Sequence, residues 1–302
     1  MPVKKNHLKF TGLQPRTLAA YRKALEHFMG FVKAKKLKLA TPRHLDRQAS
    51  EYLNMMFLEG EALSSAGHLL SAIKRFMPEF RLLLPTASQF HRNWQRQHKP
   101  VRAIPLPLNL VEALCAVCFT VHEPELGLLV SLSFHCFLRT AEMLSLQWNH
   151  LMTQNDRQTI NVVLPFSKTS EGNPQVLRLE NACLWKVITK LRPVHRPRRL
   201  LWPHSVQAFH RVWKRLLPCL GFDAQAYAPY GLRRGGATHH FLTLGQMDLT
   251  VARGRWAHAK TAKLYIDDGA LALAETLWTS KQKRLVRKMA RKFVPLCTQL
   301  RQ

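Results

Sequence analysis

Basic residues recur inside otherwise apolar or structured stretches of this sequence, where a charge is costly to bury. Arg139 follows SFHCFL, Lys168 lies among β-branched residues around a turn, and Arg233 follows YGL. A buried guanidinium needs an anion, and its fork of five donors matches a phosphate. For any one of these residues a structural salt bridge is the commoner explanation, and Arg139 has Glu142 one helical turn away. The three together favour an anion-binding site.

The pair in YGLRRGGATHH raises a separate question, because Arg234 stands directly after Arg233. Arg234 contacts a neighbouring phosphate or pairs with an acid, and the pattern leaves both interpretations open. Gly235 and Gly236 are expected to let the following helix pack closely. Three histidines are expected at the surface or against nucleic acid, and not as metal ligands: His239, His240 and His258.

The overall charge indicates a polyanionic partner. Lys and Arg number 46 against 18 Asp and Glu, a formal net charge of +28, yet 46% of residues are hydrophobic, which predicts a folded chain with a basic surface. A metal-dependent nuclease needs clustered carboxylates. Asp267 and Asp268 are neighbours that point in different directions, so we expect no metal and no cofactor.

The chain length and a proline cluster predict two domains. The stretch KPVRAIPLPLN disfavours helix and is typical of a linker, which places a helical domain at 1–102 and a second domain at 103–302. The second domain is predicted to be helical apart from a small β-hairpin in QTINVVLPFSKTSEGNPQVLRL, and it ends in a basic helix. The predicted fold class is therefore mainly α with a small β-hairpin or sheet.

Cysteine usage and hydropathy bear on the compartment. The six cysteines are scattered without regular spacing, which predicts reduced thiols, and the pair in CAVC lies in an apolar stretch typical of a core. The most apolar run, LGLLVSLSFHCFL, is too short to span a bilayer and predicts a buried helix. We expect an intracellular protein without a membrane association.

Two stretches resemble the arginine boxes of the tyrosine recombinase family. FLRTAEMLSLQW is similar to the first box, which implies that Arg139 is a catalytic arginine and that Glu142 supports the site. YGLRRGGATHH resembles the His-x-x-Arg box, which implies that Arg233 is the second catalytic arginine. Here Tyr230 stands at the position of the family's histidine, and this is the one departure from the pattern.

The remaining boxes resemble the same family in the expected order. LPFSKTSEG is similar to the hairpin that carries a catalytic lysine, here Lys168. In GRWAHAKTAKLYI, Trp256 stands where the family has His or Trp, and Tyr265 stands where it has the nucleophile. The wording LRRGGAT is most like that of DIRS-like retroelement and crypton recombinases.

This resemblance implies a fold, an activity and partners. It implies a helical core-binding domain and a mixed α/β catalytic domain that clamp double-stranded DNA, and cleavage and rejoining of strands through a 3′-phosphotyrosine. It also implies a homo-tetramer on DNA, assembled through the C-terminal segment, and recombination or integration of a mobile element. The protein would work where the DNA is, in the nucleus of a eukaryote or the nucleoid of a bacterium.

The residues themselves leave alternatives to this activity. Tyr265 is the only one of five tyrosines with the right spacing to Trp256, whereas Trp256 is equally well explained as a core aromatic. A DNA-binding protein that descends from a recombinase and no longer cleaves is the alternative of a different class. A type IB topoisomerase would use nearly the same chemistry, but the separate helical domain and basic tail favour a recombinase.

Overall fold

A computed structural model describes residues 12–98, 102–155, 158–165 and 173–299. Its contacts divide the chain into two compact units, Met1–Val101 and Arg102–Gln302.

The first unit is helical throughout its described part. Four helices alternate apolar and polar faces, and a 3₁₀ turn at Pro78–Phe80 separates the last two: α1 Pro15–Ala34, α2 Pro42–Leu58, α3 Leu63–Phe76 and α4 Pro85–Gln97. Their inward faces form one core, which includes Phe28, Leu53, Leu69 and Ile73. The burial of these side chains is what holds the four helices together.

Polar caps position the helices of this unit. Thr41 caps α2 by accepting a hydrogen bond from the backbone N–H of His44 at 3.2 Å. The buried carboxylate of Asp46 accepts from the N–H groups of Thr86 and Ala87, at 3.1 and 2.9 Å, and so ties α2 to the start of α4. Helix α3 begins before Ser64 and Ser65, with Ala62 at its N-cap and no side-chain cap.

The second unit contains the remaining described elements. Ten helices, two 3₁₀ turns and three strands follow one another along its described residues: α5 Leu108–Thr120, α6 Pro124–His135, α7 Thr140–Leu144, a turn at Trp148–His150, β1 Leu151–Gln154, β2 Thr159–Leu164, β3 Gln175–Glu180, α8 Ala182–Leu191, α9 Val206–Leu216, a turn at Pro218–Leu220, α10 Gly231–Leu244, α11 Met247–Gly254, α12 Ala259–Lys263, α13 Asp268–Thr276 and α14 Ser280–Gln299.

Helices α5 and α6 form the centre of this unit. Both are buried along most of their length, and Cys115 and Cys118 of CAVC are completely buried among apolar side chains, which confirms that they pack in the core. The stretch from 124 to 148 is not one continuous helix, because the backbone turns at Phe137, whose φ is +47°. This break creates the start of α7, where Arg139 is the N-cap.

The three strands form one antiparallel sheet in the order β1-β2-β3. In register, Leu151 lies opposite Val162, and Ile160 lies opposite Leu179. The predicted hairpin is thus the β2–β3 pair, and β1 adds a strand that the sequence pattern did not predict. A mainly helical chain with a small antiparallel sheet confirms the predicted fold class.

The C-terminal helix α14 packs within its own unit. It lies against α5 and α8, and its side chains Val286, Phe293 and Cys297 are buried there. Cys183 of α8 and Cys297 form a disulfide with their Cα atoms 5.8 Å apart. The prediction of reduced thiols is therefore wrong for this pair, because two cysteines 114 residues apart become neighbours only when α14 folds onto α8.

Glycines bring helix α10 into close contact with the central helices. A Cβ atom at Gly235 would lie 2.0 Å from the carbonyl oxygen of Leu106, and one at Gly236 would lie 2.0 Å from that of Phe134. These distances confirm that the two glycines permit close packing. The unusual approach fixes the first turns of α10 against the segment that leads to Arg139.

We expect Gly235→Ala to destabilise the protein by about 1–3 kcal/mol or more, because a rigid backbone carbonyl faces the new methyl group. Urea unfolding measures this loss. Gly269→Ala is the matched control, since Gly269 also lies in a helix of this unit and has no atom within 4 Å of its added Cβ. Equal stability of the two variants would contradict the packing argument.

Candidate active site

Arg233 lies in the first turn of α10 and is completely buried. Its Nη1 donates to the carbonyl oxygen of Phe137, and its Nη2 donates to that of Gly254 at 3.0 Å. Its Nε has no hydrogen-bond partner among the described residues. One guanidinium thereby joins the turn before α7 to the end of α11, two loops that are distant in sequence.

Arg139 and Glu142 form a compact pair at the start of α7. The Glu142 carboxylate accepts from the Arg139 backbone N–H at 2.9 Å and from its Nη1 at 2.5 Å. The Glu142 side chain is 8% exposed and the Arg139 side chain is 27% exposed, so the carboxylate is enclosed while part of the Arg139 side chain faces solvent. The predicted salt bridge is present, and Arg139 still has surface to offer a ligand.

Two aromatic rings cover the guanidinium of Arg233. Its Cζ atom lies 4.9 Å from the ring centroid of Trp256 and 5.1 Å from that of Tyr265. The two rings are 4.8 Å apart, and Trp256 also stacks on Phe137 at 6.2 Å. Trp256 is thus a buried aromatic side chain in a small apolar cluster, which agrees with its interpretation as a core residue. It also forms a wall of the site.

Tyr230 and Tyr265 contact each other through their phenol groups. The two oxygen atoms are 2.7 Å apart, a short hydrogen bond. Burial and, to a lesser extent, the hydrogen bond to Tyr265 raise the pKa of Tyr230 to about 12. Burial opposes ionisation of Tyr265 as well, but the hydrogen bond from Tyr230 and the charges of Arg233 and Arg139 outweigh it, so the pKa of Tyr265 is lowered. These opposite shifts favour Tyr265 as the phenol that ionises first, with Tyr230 as the donor to it.

Arg234 pairs with an acid. Its Nη2 donates to Asp267 Oδ2 at 2.8 Å, and its Nη1 donates to the carbonyl oxygen of Ala103 at 2.8 Å. Thr238, one turn along α10, donates to the carbonyl oxygen of Tyr265 at 3.3 Å and accepts from the N–H of Asp267 at 3.1 Å. The second arginine of the pair thus holds the segment that carries Tyr265 against α10.

The histidines of this region do not form a metal site. Nδ1 of His240 lies 2.9 Å from Thr250 Oγ1, and burial, with the charge of Arg253, lowers its pKa to about 4. His240 is consequently neutral and half-buried rather than at the surface, while His258 is exposed at the start of α12. In the described part of the chain, no group of three or more His, Cys, Asp or Glu could hold a metal ion.

The charges around Arg233 leave the site positive. Burial, with the charges of Arg139 and Arg255, lowers the pKa of Arg233 to about 10, so it remains protonated near neutral pH. Arg255 donates from Nη2 to Glu142 Oε2 at 2.8 Å. Arg139 and Arg255 pair with the Glu142 carboxylate, and Arg233 bonds only backbone carbonyl oxygens, so the three guanidinium groups and one carboxylate leave a net charge of two that attracts an anion such as a phosphate.

Comparisons with known proteins give similarity in fold alone. No protein-family model matches the sequence, and no curated protein matches it. The chain is similar to the XerH site-specific recombinase bound to palindromic difH substrate in a post-cleavage complex, with a TM-score of 0.54, 14% identity, and coverage of 87% of this chain and 79% of the other. It is also similar to XerH bound to difH substrate in a pre-cleavage complex, with a TM-score of 0.52, 15% identity, and coverage of 86% and 79%.

The fold is that of a tyrosine recombinase. Identities of 14% and 15% establish the fold and no more, so the roles of individual residues in this chain remain predictions. Within the tyrosine recombinase fold, most of the predicted site residues lie together: Arg139, Glu142, Tyr230, Arg233, Trp256 and Tyr265. Lys168 lies outside the described residues.

Arg255 is a site residue that the sequence pattern did not single out. It is buried, with a side chain 4% exposed, and its guanidinium contacts the same carboxylate as Arg139. The only signal in the sequence is an arginine wedged between Gly254 and Trp256 in a stretch that resembles a functional box. Its partner Glu142 is 113 residues away, so no local pattern reveals the pair.

We expect Tyr230→Phe to raise the pKa of Tyr265, because the variant loses the hydrogen bond that stabilises the phenolate. Titration of ¹³Cζ-labelled tyrosines by NMR in the free protein measures it. Tyr227→Phe is the control, since the Tyr227 phenol bonds the indole N–H of Trp278 and does not contact the pair. An unchanged Tyr265 titration in Tyr230→Phe would show that Tyr230 does not donate to it.

Proposed function

We propose that this protein cleaves and rejoins DNA strands through a 3′-phosphotyrosine on Tyr265, as a site-specific recombinase or integrase. One observation carries the proposal: the Tyr265 phenol shares a 2.7 Å hydrogen bond with the Tyr230 phenol, and its ring lies against the guanidinium of Arg233. A phenol with a pKa of about 10 is a weak nucleophile near neutral pH. Here a donor and two guanidinium groups favour its ionised form.

The chemistry is a transfer in two steps. Tyr265 first loses its phenolic proton to solvent; its oxygen then attacks phosphorus, the bond to the 5′ oxygen breaks, and the phosphate stays on the enzyme as a 3′-phosphotyrosine. A 5′-hydroxyl, from the same or another strand, then reverses the reaction. Charge that builds on the non-bridging oxygens is balanced by Arg139 and Arg233, so the residues of the site perform the step themselves. Lys168 is proposed to protonate the leaving oxygen.

Tyr230 has a more specific role in this proposal than a histidine at its position would have. A phenol is a poor proton acceptor near pH 7, so it gives little general-base help. Its hydroxyl lies 2.7 Å from the nucleophile, where it stabilises the phenolate by donating a hydrogen bond. The proposed enzyme is therefore slow, with charge stabilisation by the arginines supplying most of the rate.

Burial of Arg233 sets a condition on DNA binding. The Trp256 and Tyr265 rings cover its guanidinium, and carbonyl oxygens of Phe137 and Gly254 occupy two of its donors. A phosphate reaches Arg233 only if the Tyr265 ring moves aside. The same burial is the observation that favours the alternative, a DNA-binding protein of recombinase descent that cleaves weakly or not at all.

The remaining parts of the proposal concern partners. Double-stranded DNA fits the net charge of +28, with the first unit as a core-binding domain and the second as the catalytic domain. A tetramer on DNA through the C-terminal segment is part of the proposal. Because the apolar face of α14 is buried in its own unit, such a contact would use its basic face or exchange of the helix between copies.

The origin and location of the protein complete the proposal. The wording LRRGGAT supports a mobile-element recombinase of the DIRS-like or crypton kind that acts inside the cell where the DNA lies. In the described residues, no helix combines the length and the hydropathy that a membrane span requires.

We expect Tyr265→Phe to bind a nicked suicide duplex as the wild type does and to form no covalent adduct, because only the phenolic oxygen is lost. Adducts are counted on denaturing gels, in the presence of EDTA. Tyr227→Phe, which changes a buried phenol outside the site, should keep the adduct. An adduct in Tyr265→Phe would show that another residue is the nucleophile. Loss of wild-type cleavage in EDTA would contradict the metal-free mechanism.

DNA affinity should fall steeply with salt. Each phosphate neutralised contributes about −0.9 to the slope of log K against log salt concentration on duplex DNA. Fluorescence anisotropy with a labelled duplex between about 50 and 200 mM salt measures this slope. A flat response would show that the basic surface does not serve DNA binding.

A further inference from the structure

Arg255 connects two loops of the site. Its Nη1 donates to the carbonyl oxygen of Cys136 and its Nη2 to that of Phe137, each at 3.3 Å. Nη2 also donates to Glu142 Oε2 at 2.8 Å. The guanidinium thus contacts the whole turn that leads into α7, from the loop that carries Trp256.

The backbone at Arg255 adopts a conformation that favours glycine. Its φ is +56°, in the left-handed region, where a side chain costs energy. Phe137, which lies across from it, is also left-handed with a φ of +47°. The turn at Arg255 folds the Trp256 ring onto Gly254, where an added Cβ would lie 2.0 Å from a ring carbon.

Stability alone does not account for an arginine here. Glycine would adopt this φ without strain, and a buried ion pair often contributes no net stability, because both charges lose their hydration. Arg255 and Glu142 are 4% and 8% exposed, so the pair bears that desolvation in full. A costly residue at this position is better explained by what it holds in place.

What it holds is the carboxylate that orients Arg139. Glu142 offers Oε1 to Arg139 Nη1 and Oε2 to Arg255 Nη2, so each guanidinium takes one oxygen. Without Arg255 the carboxylate keeps only its bonds to the backbone N–H and Nη1 of Arg139, so Oε2 is held less firmly and the direction of Arg139 is less well fixed. The turn that carries Trp256, which stacks on Tyr265, would then be connected to the segment before α7 only through the bonds of Arg233 to Phe137 and Gly254.

We propose that Arg255 is a positioning residue, which fixes Arg139 through Glu142 and ties the loop of Trp256 to the start of α7. The proposal rests on the proposed function and adds a residue to the machinery of that site. Arg255 does not itself need to touch the DNA, because its side chain is enclosed and both of its Nη atoms donate to Cys136, Phe137 and Glu142.

The test uses single-turnover cleavage of a saturating suicide duplex. Arg255→Gly suits the backbone and removes the guanidinium, so we expect DNA affinity within about 3-fold of wild type and a cleavage rate about 10²-fold lower, the loss typical of a misplaced catalytic group. Arg255→Lys keeps the charge but not the fork, and should recover part of the rate. Arg255→Lys also provides the test if the glycine variant does not fold.

A double variant separates positioning from a general structural role. If Arg255 acts through Arg139, then Arg139→Ala/Arg255→Gly should lose clearly less rate than the product of the two single losses, because Arg139, one of the two features that Arg255 positions, is already absent. Arg253→Ala is the matched control: its guanidinium donates to carbonyl oxygens of His135 and Arg178 and not to Glu142, so the cleavage rate should stay near that of wild type.

Three outcomes would overturn the inference. These are a wild-type rate in Arg255→Gly, full additivity in the double variant, and an equal loss of rate in Arg253→Ala. If the wild type forms no adduct, the proposed function fails instead. The link between the Trp256 loop and the start of α7 is then tested by amide hydrogen exchange, which does not depend on cleavage. Exchange should accelerate at residues 256–265 in Arg255→Gly. Unchanged exchange would overturn the inference even if the protein does not cleave DNA.

Discussion

One buried carboxylate organises the site. Glu142 accepts hydrogen bonds from Arg139 and Arg255, and the carbonyl oxygen of Phe137 gathers Arg233 and Arg255 in the same place. Guanidinium groups repel one another and lose hydration when buried, so their assembly depends on the acid and the carbonyl between them. The turn before α7 and the end of α11 meet at this point, and the rest of the site is built around it.

Helix α10 supplies the rigid side of the arrangement. Its glycines remove the side chains that would keep it away from Leu106 and Phe134, and this close approach buries Arg233. Arg234 then pairs with Asp267, so the helix also holds the segment that carries Tyr265. Two adjacent arginines therefore do different work: the first faces the cluster of charges, and the second holds the backbone beside Tyr265.

The resulting site is charged and closed. The three guanidinium groups exceed the single carboxylate by two positive charges, yet the aromatic rings of Trp256 and Tyr265 cover Arg233. In the proposed function a phosphate supplies the missing negative charge, and displacement of the Tyr265 ring gives it room. The proposed function thus couples binding of the anion to movement of the nucleophile, since the Tyr265 ring, whose oxygen is proposed to attack, also covers the arginine.

The sequence by itself determined the helical class, the position of the hairpin and the motifs that single out Arg139, Arg233 and Tyr265, because these signals lie in short contiguous stretches. It left open whether Arg234 meets a phosphate or an acid. Only the tertiary structure decided that question, formed the Tyr230–Tyr265 hydrogen bond and placed Arg255 against Glu142. The partners of Arg234, Tyr230 and Arg255 in these contacts are 33, 35 and 113 residues away along the chain. Hydrogen bonds of such separation exist only after the loops have packed, and no local propensity encodes them.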